Sequence, residues 1–279
     1  MRTKCKGKST VFFADPPRII SGGTIVGDVE AKGPLGSYFD IALEDDTWGE
    51  GTWEKAERKM FEHAVRTAVE KGGLTPMQVD ILLGGDLLNQ IISANFAARE
   101  LEIPFLGLYG ACSTMAEGML IGSMLIDGGF ADRVACAASS HFSTAERQYR
   151  LPLEMGSQAV PTSQRTVTGA GCALLSGSGC ADKGSLSSVC IAGGVIGRVV
   201  DLGITDAANM GAAMAPAAAD TLFGAIAIGI TAGALLYCDH GKIRFFTLFA
   251  IAAGALLWQI LPGKLLRIMI MKLKRSIGH

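Results

Sequence analysis

The apolar positions of this chain follow two regimes that meet near residue 220. Upstream, short apolar runs alternate with longer segments whose apolar residues recur every three or four positions. Residues 53–71 place apolar side chains at 53, 56, 60, 64, 65 and 68, which is one face of a helix. Gly72 and Gly73 stop it. Thr75 and Pro76 supply an N-cap and a proline at the first helical position, so a short helical turn starts there. Residues 79–83 then read as a buried strand ending at Gly84 and Gly85. Residues 93–102 predict a second helix and 104–109 a second strand, which runs into Gly110-Ala111-Cys112-Ser113. Residues 114–127 carry small and apolar residues on successive turns and predict a buried helix. A third strand is predicted over 133–139. Segments 166–176 and 186–200, rich in glycine and β-branched residues, predict two more. Strands alternating with helices imply an α/β domain with a largely parallel sheet covered on both faces.

Downstream, residues 221–238 carry no charge, 239–244 form a short polar loop, and 245–261 are again uncharged. Each run is close to the minimum for crossing a bilayer, roughly 17–25 residues. Together they predict a two-helix transmembrane hairpin, with a pair of buried core helices as the alternative. Tyr237 and Trp258 lie near the run ends, where interfacial aromatics belong. From 264 to 275 come Lys264, Arg267, Lys272, Lys274 and Arg275 with no acidic residue. On a helix these share one side, opposite Leu265, Leu266, Met269, Ile270 and Leu273, which predicts a basic amphipathic tail on an anionic membrane surface. The positive-inside bias puts that tail on the cytoplasmic side, and two spans return the N-terminal region to the same side. Three parts are therefore expected: a domain over 1–220, a hairpin over 221–261 and a tail over 262–279.

Composition narrows the functional classes. With 25 Lys and Arg against 26 Asp and Glu, the net charge of −1 argues against a nucleic-acid binder. A hydrophobic fraction of 49% with only 18% charged residues excludes a disordered chain. The cysteines at 5, 112, 136, 172, 180, 190 and 238 are odd in number and contain no CxxC pair. Structural zinc and a secreted disulfide framework both fit poorly, and a reducing interior fits better. The apolar run at 11–14 is too short for a signal-peptide core.

Cys112 is the residue most suggestive of chemistry. It follows a short strand and precedes an apolar helix. Such a turn brings a side chain to the sheet's edge and leaves the first helical N–H groups unpaired beside it. Those groups favour negative charge, so they would lower a thiol pKa or hold a carboxylate. The alternative is a small buried thiol packing the junction.

The segment 110–118, together with Ile126 to Ala135, resembles the nucleophile elbow, following helix and next strand of the thiolase and ketoacyl-synthase superfamily. More closely, residues 1–220 resemble the stage V sporulation protein AD family of spore-forming bacteria. The matching stretches are 33–37, 53–58, 85–90, 105–114, 139–148 and 201–221. The resemblance implies one half of a thiolase-like αβαβα fold, with 209–220 opening the second half. It also implies binding of dipicolinic acid, its uptake into the forespore and its release in germination, at the spore inner membrane. The hairpin resembles the YabQ family of spore-cortex membrane proteins over 233–258.

For a flat aromatic dianion, the resemblance makes Cys112 and Ser113 the helix-terminus contacts. Asp86 and Asn89 would follow the first strand, Ser139, Ser140 and His141 the third, and Arg147 and Arg150 would supply positive charge. Calcium would have to bridge Asp86 to an anion. The plainer alternatives are capping of the next helix for Asp86 and Asn89, and a solvated helix face for the arginines. No resident cofactor is expected. An enzyme would use Cys112 as nucleophile with His141 as the one plausible neighbouring base, since His63 is expected on an exposed helix face and His240 and His279 lie in the hairpin loop and at the terminus. The expectation is a binder, with a thioester-dependent acyltransferase and a non-binding component of a spore membrane complex as alternatives. Other stage V membrane proteins, membrane lipid and a second copy of the chain are the expected partners, because a half-fold would expose an apolar face.

Overall fold

The computed structural model describes residues 4–6, 9–149, 165–180 and 189–197. The chain divides into two compact units, Met1–Lys6 with Val11–Gly194, and Gly7–Thr10 with Val195–His279. The first unit carries nearly all the described structure. The predicted opening helix at 209–220, hairpin at 221–261 and tail at 262–279 lie outside the described residues. Within them, no helix is long and apolar enough to cross a membrane.

In chain order the elements are β1 (Cys5–Lys6), β2 (Thr10–Phe12), β3 (Arg18–Val26), α1 (Asp28–Ala31), β4 (Ile41–Ala42), α2 (Trp53–Lys71), β5 (Ile81–Gly85) and α3 (Ile92–Leu101). They continue with β6 (Phe105–Gly107), α4 (Thr114–Asp127), β7 (Arg133–Ser140), α5 (Phe142–Tyr149), β8 (Gly169–Ser176) and β9 (Gly193–Val195). Six strands form the main sheet in the order β4-β3-β8-β7-β5-β6.

The α/β class holds, with a correction to the sheet. Pairings β3–β4, β5–β6 and β5–β7 are parallel, but β8 runs antiparallel to both β3 and β7. The sheet is mixed because an apolar run reads the same in either direction, so its polarity is invisible to hydropathy. Of the predicted strand at 186–200, residues 189–197 are described, and they contain β9, which joins β1 and β2 in a separate small sheet.

Alternation along the strands builds two cores. Leu82, Ala135, Ala137 and Leu174 face α2 and α3, whereas Leu83, Val134, Cys136 and Leu175 form the core on the opposite face, against α4. Burying each apolar side chain contributes roughly 1.5–3 kcal/mol. The Thr52 hydroxyl caps α2 by accepting from the Lys55 N–H at 3.3 Å. β3 escapes a hydropathy reading because its centre is Ser21-Gly22-Gly23-Thr24. Gly23 is required there, since a Cβ would lie 2.2 Å from the Ala64 carbonyl oxygen of α2. α4 is not a buried helix. Only the side bearing Thr114, Gly118, Gly122, Ser123 and Ile126 is buried, and its small residues let the backbone approach β7.

Candidate functional site

Parallel strands β5, β6 and β7 end on the same edge of the sheet, where α/β folds place their sites. Two arrangements occupy that edge.

The first is the turn between β6 and α4. Ala111 sits in the left-handed region at φ +46°, a conformation that costs a non-glycine residue about 1–2 kcal/mol. Residues Ala111–Ser113 form one tight 3-10 turn that leads into α4. The turn leaves Cys112 exposed, which rules out the buried-thiol alternative. Ser113 Oγ donates to the Gly110 carbonyl at 2.8 Å and does not cap the helix. The N–H groups of Ala111 and Cys112 open the turn without intrahelical partners. Thr114 is buried behind them, and its Oγ1 has no hydrogen-bond partner among the described residues. Cys136 and Cys172 differ sharply from Cys112. Burial pushes the Cys136 thiol up to about 12 and the Cys172 thiol higher still.

The second arrangement lies around the first turns of α2 and was not foreseen. Glu57 is fully buried. Its Oε1 accepts from Ser139 Oγ at 3.0 Å, and its Oε2 lies 3.4 Å from Thr144 Oγ1. Thr144 has one hydroxyl hydrogen, and the His141 carbonyl at 3.0 Å is its nearer acceptor. A protonated Glu57 completes the chain by donating to Thr144. Burial, reinforced by the negative charge of Asp86, pushes the Glu57 carboxyl up to about 8. The sequence signal was available: a lone acid at 57 on the apolar stripe running from 53 to 68.

Several expected ligand residues are committed to this second arrangement. Asp86 is buried and caps α3, accepting from the N–H groups of Leu88 at 2.9 Å and Ala94 at 2.7 Å. Burial raises its pKa against the lowering effect of those bonds. Both of its carboxylate oxygens are therefore engaged with the backbone at the start of α3. His141 is also buried, because the loop before α2 closes over the end of β7. Its Nε2–H donates to the Asp46 carbonyl at 2.7 Å, so Nδ1 accepts from the Ser143 N–H at 3.2 Å. Both nitrogens are engaged within the fold, and Trp53 stacks on the ring at 6.4 Å.

Ser139 serves Glu57, and Ser140 Oγ donates to the Val167 carbonyl at 2.6 Å. Arg147 pairs with Glu54 and lies over the Trp53 ring, so its charge is met within the fold. Asn89 lies in the turn before α3, and a ligand role for its side chain falls outside the described residues, as does Arg150. His63 is half-buried against Trp48, with ring centroids 4.8 Å apart, and is not on an open face. Among the described residues no group of three or more His, Cys, Asp or Glu is placed to hold a metal ion.

The family model for stage V sporulation protein AD matches residues 7–227. A curated relative, stage V sporulation protein AD of Bacillus subtilis (strain 168), is 47% identical over 219 residues, covering 78% of this chain and 63% of its own. The chain thus spans less than two thirds of that relative's length. Among solved structures, 3-oxoacyl-(acyl-carrier-protein) synthase III from Aquifex aeolicus VF5 is 17% identical, with a TM-score of 0.39 over 57% of this chain and 53% of that one. An OleA variant from Xanthomonas campestris is 13% identical, with a TM-score of 0.43 over 61% of this chain and 60% of that one.

Proposed function

The chain belongs to the stage V sporulation protein AD family, and we propose that it serves sporulation by holding dipicolinic acid at the Cys112 turn. The observation that carries this reading is the left-handed Ala111, which holds Cys112 exposed at the mouth of α4. The open N–H groups of that turn and the positive end of the helix suit a carboxylate. This site needs no contribution from Asp86 or His141, which the fold uses elsewhere. The ligand is held for uptake into the forespore and release at germination. The uncharged runs and basic tail of 221–279 support attachment at the spore inner membrane, with the large domain on the cytoplasmic side. Leu106 and Tyr109, exposed on and beside the edge strand β6, support pairing with a second copy or a stage V partner.

Titration calorimetry of the full chain with dipicolinate tests the reading. Heat is expected from the wild type and none from Cys112→Trp. A folded wild-type chain that gives no heat overturns it.

The same exposed thiol on a strained turn favours a second reading, acyl transfer through a Cys112 thioester. Labelling by an acyl-CoA analogue, lost in Cys112→Ser, is its signature. The binding reading is preferred because both described histidines are held in other contacts.

A further inference from the structure

We infer that Glu117 is a specificity-determining residue of the Cys112 turn: its carboxylate stands beside the open N–H groups and sets how strongly they hold a doubly charged ligand. The inference rests on the reading that this turn takes a carboxylate, and it names what limits the grip.

Glu117 lies in the first turn of α4, one turn beyond Ser113. Helical side chains lean toward the N-terminus of their helix, so a long one here reaches back over the preceding turn. A Cβ at Gly110 would lie 2.4 Å from Glu117 Oε2, 2.7 Å from Ser113 Oγ and 3.3 Å from the Thr114 nitrogen. The carboxylate thus occupies space that Gly110 leaves open at the entrance to the turn. Among the described residues nothing satisfies it. Ser113 has one hydroxyl hydrogen, which it donates to the Gly110 carbonyl at 2.8 Å. The Thr114 N–H bonds to the Ala111 carbonyl. Glu117 has no ion pair and no hydrogen bond there, and its side chain is half-buried.

The two features of the turn act in opposite directions. The helix terminus attracts a carboxylate, and the negative charge of Glu117 repels it. Two like charges a few ångströms apart in water weaken an affinity by about threefold to fivefold. The repulsion grows with each charge the ligand carries, so it bears hardest on a dianion. The result is a site that holds a dicarboxylate loosely and exchanges it readily, as uptake followed by release requires.

The test is titration calorimetry of the full chain at pH 7 and low ionic strength, with three ligands that share one ring: dipicolinate, the monoanion picolinate and the neutral picolinamide. Glu117→Gln keeps the shape of the side chain and removes its charge. It is expected to tighten dipicolinate about tenfold and picolinate about threefold, and to leave picolinamide unchanged. Added salt is expected to shrink both gains. Glu117→Asp, which draws the charge back by one methylene, is expected to give a smaller gain. Glu70→Gln removes an equal charge from the exposed end of α2, at the opposite edge of the sheet, and is expected to change nothing. Dipicolinate heat that Glu117→Gln leaves unchanged or weakens overturns this inference alone. So does an equal gain for all three ligands, which would report a change of shape and not of charge. No heat from folded wild type or folded Glu117→Gln overturns the binding reading and this inference together. Heat from Glu117→Gln alone upholds the restraint and overturns the binding reading for the native chain.

Discussion

Replacing Glu57 by glutamine isolates the proton that this buried carboxyl holds. In the native chain, burial and the neighbouring Asp86 charge push this carboxyl from its ordinary 4.5 up to about 8. Between those values the folded chain keeps a proton that the unfolded chain has released, so stability falls as pH rises. The full contribution is present below about 4.5 and lost through about 8, amounting to about 5 kcal/mol at about 1.4 kcal/mol per pK unit. Between pH 5 and 7 the loss integrates to roughly 2–3 kcal/mol. Glutamine is neutral throughout. Its oxygen can accept from Ser139 and its amide can donate to Thr144, so the network survives the exchange. Urea unfolding followed by circular dichroism at pH 5, 6, 7 and 8, on wild type and Glu57→Gln, measures the difference directly. Contributions from independent groups cancel between the two chains. The wild type is expected to lose roughly 2–3 kcal/mol more than the variant between pH 5 and 7. Parallel stability curves would refute the protonated, buried carboxyl and the hydrogen-bond chain built on it.

Gly23→Ala is expected to destabilise by about 3 kcal/mol or more in the same assay, because the added methyl meets the α2 backbone and not a side chain that can turn away. Ala111→Val should cost about 1–2 kcal/mol, since a β-branched residue resists the left-handed conformation, while Ala111→Gly should be neutral or slightly stabilising. Alkylation of the native chain with iodoacetamide, mapped by mass spectrometry, should modify Cys112 and Cys190, which are exposed, and spare the buried Cys136 and Cys172. Arg147→Ala should change stability by less than about 1 kcal/mol, because the Glu54 pair is solvent-exposed.

Pattern alone determined α2, α3, α4 and the central strands of this protein. The stripe from Trp53 to Val69 and the runs at Leu82-Leu83 and Val134-Ala135 each bury a fixed face, and burial of a face is a local, periodic demand. Glycine and proline punctuation set the ends, as at Thr75-Pro76 and Gly72-Gly73. The turn that exposes Cys112 was also legible, because a strand, a small-residue turn and a helix follow one another there. Direction and partnership were not. β8 reverses between β3 and β7, and β3 owes its place to a glycine that lets α2 come close, facts that depend on residues far apart in the chain. The polar residues separate for the same reason. Asp86 and His141 follow strands and Ser139 lies at the end of one, as a ligand set should. Only the packing of α2, α3 and the Asp46 loop decides that their hydrogen bonds are spent on the fold itself. A polar side chain's type states what it can bond. The tertiary structure, by bringing partners within about 3 Å and excluding water, states what it does bond.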